Sequence, residues 1–295
     1  MNDSFSRRVP FKGDVYHMKR RNIYGLIIVL LGAISQQACY SERELSDESG
    51  PVTELSFQLA YDAEDITCTG AFTHAQQRWE IQRLAFFVSE LQVQSSDSQA
   101  WQPVSLSPSA WQTDDVSLIW FSDKCEQATD SVSNTLLSLA ISPEKFSEVT
   151  ALRFSLAVPN HLNHLDPLRQ PSPLNLPDMF WSWRMGYKFI RFDIKSTDPQ
   201  AAIKQWSYHL GSLGCESPSV VRAPTQECTY PNRYSITLPV ADVQQGLVVD
   251  LAQLLSGVSP AASDSCMFKS KGEESCERLA ENLKTQNVIS WQQND

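Results

Sequence analysis

Several signatures are missing from these 295 residues, and each absence removes a class of function. No G-x-S-x-G occurs, so the nucleophile elbow of the α/β-hydrolases is gone. There is no H-E-x-x-H, no phosphate-binding glycine loop and no glycine-rich dinucleotide fingerprint. C-x-x-C-H is absent, which excludes a c-type haem attached to this chain, and C-x-x-C occurs nowhere, which weakens structural zinc. No histidine follows His209, so the later cysteines cannot supply the Cys-then-His order of a blue-copper site. Long apolar runs are also missing. The longest candidate, residues 23–34, falls short of the roughly 20 apolar residues that span a bilayer. Basic excess is absent too, with 24 Lys and Arg against 34 Asp and Glu. Six of those bases and two of those acids precede residue 40, leaving a net −14 on the remainder, which argues against nucleic acid and against docking on an anionic membrane.

What is present begins with a targeting pattern. Lys19, Arg20 and Arg21 lead directly into the apolar run IYGLIIVLLGAI, as in an export signal. Met18 stands just before this basic cluster and is an alternative start. Ala38 before Cys39 suits lipoprotein processing, with Cys39 as the lipidated residue. Gln36 and Gln37 depart from the usual pattern there, and ordinary cleavage nearby would leave Cys39 a spare thiol. Residues 1–39 are thus read as the signal, 40–53 as a flexible tether, and 54–295 as one β-rich domain of the periplasm or cell envelope. Any membrane association would run through the lipid.

With Cys39 set aside, six cysteines remain: Cys68, Cys125, Cys215, Cys228, Cys266 and Cys276. An exported chain with an even number is expected to form disulfides, here in any of 15 connectivities. Local spacing favours Cys215–Cys228 and Cys266–Cys276, which leaves Cys68 with Cys125.

Strand patterns dominate the domain. Residues 54–61 alternate Leu55, Phe57, Leu59 and Tyr61 on one face. Segments 81–93, 116–121, 151–158, 187–194, 203–210, 233–240 and 246–251 follow. Helical signals are few: 133–140, a turn at 142–149, 250–255 and 273–284. The expectation is an all-β fold, an antiparallel β-sandwich or barrel-like domain with short helices, disulfide-bonded, carrying a long Pro/Trp-rich loop. That loop, residues 159–186, holds five prolines, two histidines and two tryptophans. It is too apolar for a linker, and a loop of this length in a compact domain usually serves function.

Imidazole suits copper. The histidines beyond the signal are His74, His161, His164 and His209. Three dispersed methionines, Met179, Met185 and Met267, read as gap fillers before they read as a soft-metal site. Trp181 and Trp183 form an i, i+2 pair that could equally pack one side of a sheet.

One set of segments carries a family resemblance. In order they are Leu162-Asn163-His164, Pro173-Leu174-Asn175, Met179 through Phe189, His209-Leu210-Gly211-Ser212, Gly214-Cys215, Pro224-Thr225, Cys228, Asn232-Arg233, Val249-Asp250-Leu251, Cys266-Met267 and Cys276. The chain thereby resembles, over about residues 54–285, the methanobactin-associated exported copper-binding proteins, within the wider group of metallo-mystery pair proteins with a four-Cys motif. The resemblance implies a non-enzymatic copper-binding protein. It also implies a di-haem cytochrome-c-peroxidase-like partner that oxidises a tryptophan to kynurenine to help form the copper site. On this sequence the implied metal residues are His164, His209, Trp181 and Trp183, with His161, His74 and Met185 as secondary candidates. The competing reading is a carbohydrate- or protein-binding β-sandwich lipoprotein without metal, whose eight tryptophans would stack on sugars or anchor an interface.

Overall fold

The computed structural model describes residues 50–66, 71–121, 133–240, 246–267 and 273–292. The export signal, Cys39 and most of the tether lie outside these residues. So do Cys68 and Cys125, and with them their expected bond. Among the described residues no helix is long and apolar enough to cross a membrane.

The chain folds as β1 (Thr53–Tyr61), β2 (Glu64–Asp65), β3 (Ala71–His74), β4 (Gln77–Ser95), β5 (Ser98–Pro103), β6 (Val116–Phe121), β7 (Leu136–Leu139) and β8 (Val149–Leu156). It continues with β9 (Phe180–Ser182), β10 (Gly186–Ser196), β11 (Gln205–Gly211), β12 (Tyr234–Pro239), β13 (Gly246–Asp250), β14 (Cys266–Met267) and β15 (Ile289–Trp291). The helices are short: α1 (Pro143–Phe146), α2 (Asn160–Asn163), α3 (Leu251–Leu254) and α4 (Glu274–Thr285). The smaller sheet runs β15-β13-β1-β2, with β7 also on β1. The larger runs β12-β8-β4-β10-β11-β14, with β3, β5 and β6 on β4 and β9 on β10. Pairing is antiparallel except for β1 with β13 and β11 with β14.

Alternation places the first core between the sheets. Leu55 and Phe57 of β1 meet Leu84, Phe86 and Val88 of β4 and Ile190, Phe192 and Ile194 of β10. Phe57 and Phe86 touch edge to face across the interface, 5.4 Å between centroids. Such aromatic contacts add specificity to the burial.

The larger sheet is apolar on its other face as well. Ala85 and Phe87 of β4, Val116, Leu118 and Trp120 of β6, and Tyr187 and Phe189 of β10 form a second core. That explains why VSLIWF is buried at every position: its alternate residues enter different cores. A sheet covered on both faces reads as a continuous apolar run rather than an alternating one.

The expected helix over 133–140 is instead strand β7. Leu137 and Leu139 are fully buried, Leu136 is 43% exposed, and the strand pairs with β1 in the register Leu55↔Leu137. A period of two on a sheet edge overrides leucine's helical preference here.

Candidate metal centre

The roof of the second core is the Pro/Trp-rich segment, which crosses the outer face of the larger sheet as a strap. Leu174 and Met179 are buried against that face, with Leu162, Leu176 and Phe180 beside them. Polar anchors fix the strap. Asp178 lies 3.3 Å from Arg83 and 3.4 Å from Arg191, and its main-chain carbonyl accepts from Lys188 Nζ at 2.6 Å. Burial chiefly, aided by the Arg191 charge, pushes the Lys188 ammonium down to about 8. The Tyr187 hydroxyl donates to the Leu174 carbonyl, and burial raises its pKa well above the usual phenol value.

Asn163 ties the start of the strap to its end. It is 1% exposed. Its Oδ1 accepts from the Tyr187 N–H at 2.9 Å, and its Nδ2 donates to Ser212 Oγ at 3.2 Å. Only glycine fits at 186, where φ is +76° and a Cβ would stand 2.4 Å from Asn163 Oδ1.

His164 follows at once. Its Nδ1 lies 3.1 Å from the Trp183 carbonyl oxygen. A carbonyl can only accept, so Nδ1 carries the hydrogen and Nε2 keeps the lone pair. That Nε2 faces Asn163 Nδ2 at 3.2 Å and Cys228 Sγ at 3.7 Å. Burial lowers the pKa of His164, against the opposing pull of the Trp183 carbonyl, and so favours the neutral ring that binds metals. The Cys215–Cys228 disulfide is formed, as is Cys266–Cys276, matching both locally expected pairs. Donor atoms of His164, Cys215 and Cys228 all lie within 4.8 Å of one another.

His209 stands on β11 with Trp206, Tyr208 and Leu210 turned into the first core. Alternation therefore turns His209 and Gly211 to the strap side. His209 Nε2 donates to Asp193 Oδ1 at 2.7 Å, so in the neutral ring Nδ1 is the lone-pair nitrogen. Burial would raise the Asp193 pKa. Hydrogen bonds from His209, Ser207 and Arg191 outweigh it and hold the carboxyl well below the usual range. On the opposite flank, β14 pairs in the register His209↔Met267.

Trp181, on β9, rests on Gly211. A Cβ there would come 2.6 Å from Trp181 Cζ3 and 2.6 Å from the Tyr187 carbonyl oxygen. Trp183 meets Phe180 edge to face at 6.0 Å. Met185 sits half-buried in the turn between β9 and β10, its N–H on Ser182 Oγ at 3.2 Å. His161 is exposed on α2. His74 lies on β3 with both ring nitrogens engaged, Nδ1 by the Tyr61 hydroxyl at 2.7 Å and Nε2 by the Val258 carbonyl at 2.6 Å. Neither partner belongs to the strap or to β11.

The structure thus gathers His164, Trp181, Trp183, Gly211, Ser212 and the Cys215–Cys228 bridge, with His209 two residues before Gly211 on the same sheet face. Sequence reasoning missed Asn163 and Asp193, which hold the strap and orient His209. Their signals were adjacency to His164 and the acid at 193 inside a strand. Each imidazole has one nitrogen held by an oxygen, His164 by the Trp183 carbonyl and His209 by Asp193, an orienting contact of the kind metal-ligating histidines make, and the donor atoms that converge are those of His164, Cys215 and Cys228.

The family model described as MbnP matches residues 49–268. Among solved structures, MbnP from Methylosinus trichosporium is similar, with a TM-score of 0.61 and 18% identity over 77% of this chain and 86% of that one. At this identity the likeness concerns the fold. No curated protein matches the sequence.

Proposed function

Because the chain belongs to the MbnP family, which is associated with methanobactin and copper, we propose that it is an exported copper-binding protein whose cargo sits between the strap and β11. His164 Nε2 and His209 Nδ1 are the nitrogen ligands. The observation that carries this reading is their shared arrangement: Trp183 O holds the one ring and Asp193 the other, each through the nitrogen that does not bind metal. Such partners fix the tautomer and orientation of a ligating imidazole, and their loss typically costs about 10–100-fold in metal affinity.

Trp181 and Trp183 are the candidates for oxidation. Indole offers a metal no lone pair, because its nitrogen is a donor only. Opening the ring to kynurenine exposes an aryl amine and a carbonyl, which turns a packing residue into a ligand. The oxidant is a di-haem peroxidase-like partner acting in the periplasm or envelope, and this chain is the substrate and metal carrier rather than an enzyme. Lipidation at Cys39 would keep it at the membrane surface.

The test is made on protein purified from its native host. Metal analysis should find copper that survives dialysis, and peptide mapping should find the mass change of kynurenine on the fragment holding Trp181 and Trp183. His164→Ala and His209→Ala should each release the copper. Intact tryptophans together with no retained copper would sink the reading. Sugar binding that persists in chelator and fails in Trp181→Ala would favour the metal-free alternative.

A further inference from the structure

The Cys215–Cys228 bridge lies against a prospective metal ligand, and main-chain hydrogen bonds hold its backbone setting alongside the S–S bond. Just outside the loop that the bridge closes, Leu213 and Tyr230 exchange two main-chain hydrogen bonds, Leu213 N–H to Tyr230 O at 2.8 Å and Tyr230 N–H to Leu213 O at 2.9 Å. Thr229 N–H adds a third, to Gly214 O at 3.2 Å. Gly214 takes φ +67°, and a Cβ there would meet Thr229 at 2.9 Å, so the turn into Cys215 is fixed by main-chain geometry. From the facing strap, His164 presents Nε2 to the pair at 3.7 Å from Cys228 Sγ, and the three donor atoms lie within 4.8 Å of one another.

We propose that His164, Cys215 and Cys228 form a thiol-gated site for a soft, thiophilic cation such as Cu(I), closed while the disulfide is intact and opened by a thiol reductant. The proposal rests on His164 being a metal ligand, as above, and adds two sulfur ligands and a condition for using them. A disulfide sulfur is a poor donor, whereas the thiolate is both nucleophile and metal ligand. Two thiolates with one imidazole match the preference of Cu(I) for soft ligands.

The gating step balances. Cys215 is the more accessible sulfur, since Cys228 is 5% exposed and Cys215 is only partly covered. A small thiolate attacks Cys215 Sγ, forms a mixed disulfide there and expels the Cys228 thiolate. A second small thiol attacks the mixed disulfide, leaves as the oxidised small disulfide and frees Cys215. Two electrons pass from the small thiols to the protein pair. Binding of Cu(I) then displaces the two thiol protons, and the copper keeps its oxidation state. An oxidised small disulfide reverses the exchange: it takes the two electrons back, leaves as two small thiols, re-forms the Cys215–Cys228 bond and expels the metal, so loading follows the thiol status of the surroundings.

The test titrates Cu(I) anaerobically into the full chain against a chromophoric Cu(I) chelator, once with disulfides intact and once after phosphine reduction and desalting. Reduced wild type should gain one Cu(I) with thiolate-to-copper charge-transfer absorption. Reduced His164→Ala should bind it about tenfold more weakly or worse. The reduced double variant Cys215→Ser/Cys228→Ser should bind no more than the disulfide-intact protein. As a readout that needs no variant, bound Cu(I) should protect Cys215 and Cys228 from alkylation in a peptide map. Four results overturn the proposal: no added Cu(I) on reduction, undiminished binding in the double variant, no effect of His164→Ala, or unprotected Cys215 and Cys228. Copper retained only by the reduced protein would instead remove the His164–His209 site and leave this one standing.

Discussion

Gly211 bears directly on the candidate centre, because the indole of Trp181 occupies the space where any other residue would carry its side chain. The main chain closes that space from the other side through Tyr187 O at 2.6 Å, so neither neighbour can yield without moving the strap or β10. Gly211→Ala should therefore cost about 1–3 kcal/mol, the usual penalty for overpacking a filled site. It should also change the tryptophan signal in near-UV circular dichroism. Denaturant unfolding with both spectra checks this. An unchanged midpoint with an unchanged aromatic signal would mean that Trp181 is not held on Gly211. His164 and His209 were legible in the sequence by residue type. Which nitrogen each presents was not, because that depends on Trp183 O and Asp193, partners 19 and 16 residues away in the chain.

At the scale of elements, the strap is stable because it roofs an apolar face. Met179 is fully buried in that roof. Met179→Ala should cost about 2–5 kcal/mol, as for other large-to-small changes in a core. Hydrogen exchange should rise first in the strap and over β9. Loss spread evenly over both sheets would instead mean that the strap unfolds only with the whole. Lys188 gives the same contact a pH signature. Its native pKa, about 8, lies below the roughly 10.4 of an unfolded lysine. Between those values the unfolded chain binds more protons, so stability contributed at this site rises with pH across that window. The stability of wild type relative to Lys188→Gln should therefore increase from pH 8 to 10 in urea midpoints. An invariant difference would mean that the ammonium stays hydrated.

The strands at this scale were readable wherever one face is buried. The sequence segment 187–194 shows Tyr187 and Phe189 on one side and Ile190, Phe192 and Ile194 on the other, and these enter the two cores in just that division. Segment 133–140 misled because four residues with three leucines, two of them buried, on a sheet edge carry too little periodicity to outweigh helical propensity. The strap itself was visible as an anomalous composition. Its docking was not, since proline-rich backbone has no period to read.

For the whole molecule, charge is the remaining lever. The full chain carries −10, and the part beyond residue 39 carries −14. The ion pairs at the strap are few and share one carboxylate: Arg83 and Arg191 both meet Asp178, which is 57% exposed. Exposed pairs of that kind contribute about 0–1 kcal/mol each. Self-repulsion from a net charge this far from zero acts over the whole surface and opposes the compact state. The two effects respond oppositely to salt, since screening weakens favourable pairs and unfavourable repulsion alike. At about 0.1 M the Debye length is near 10 Å, short enough to suppress long-range repulsion while close contacts persist. Repulsion should therefore dominate the response, and the urea midpoint should rise as sodium chloride increases from about 0.01 to 0.15 M. Urea is uncharged, so the denaturant leaves the comparison intact. A midpoint that falls over this range would show instead that the arginine anchors of the strap outweigh the net charge.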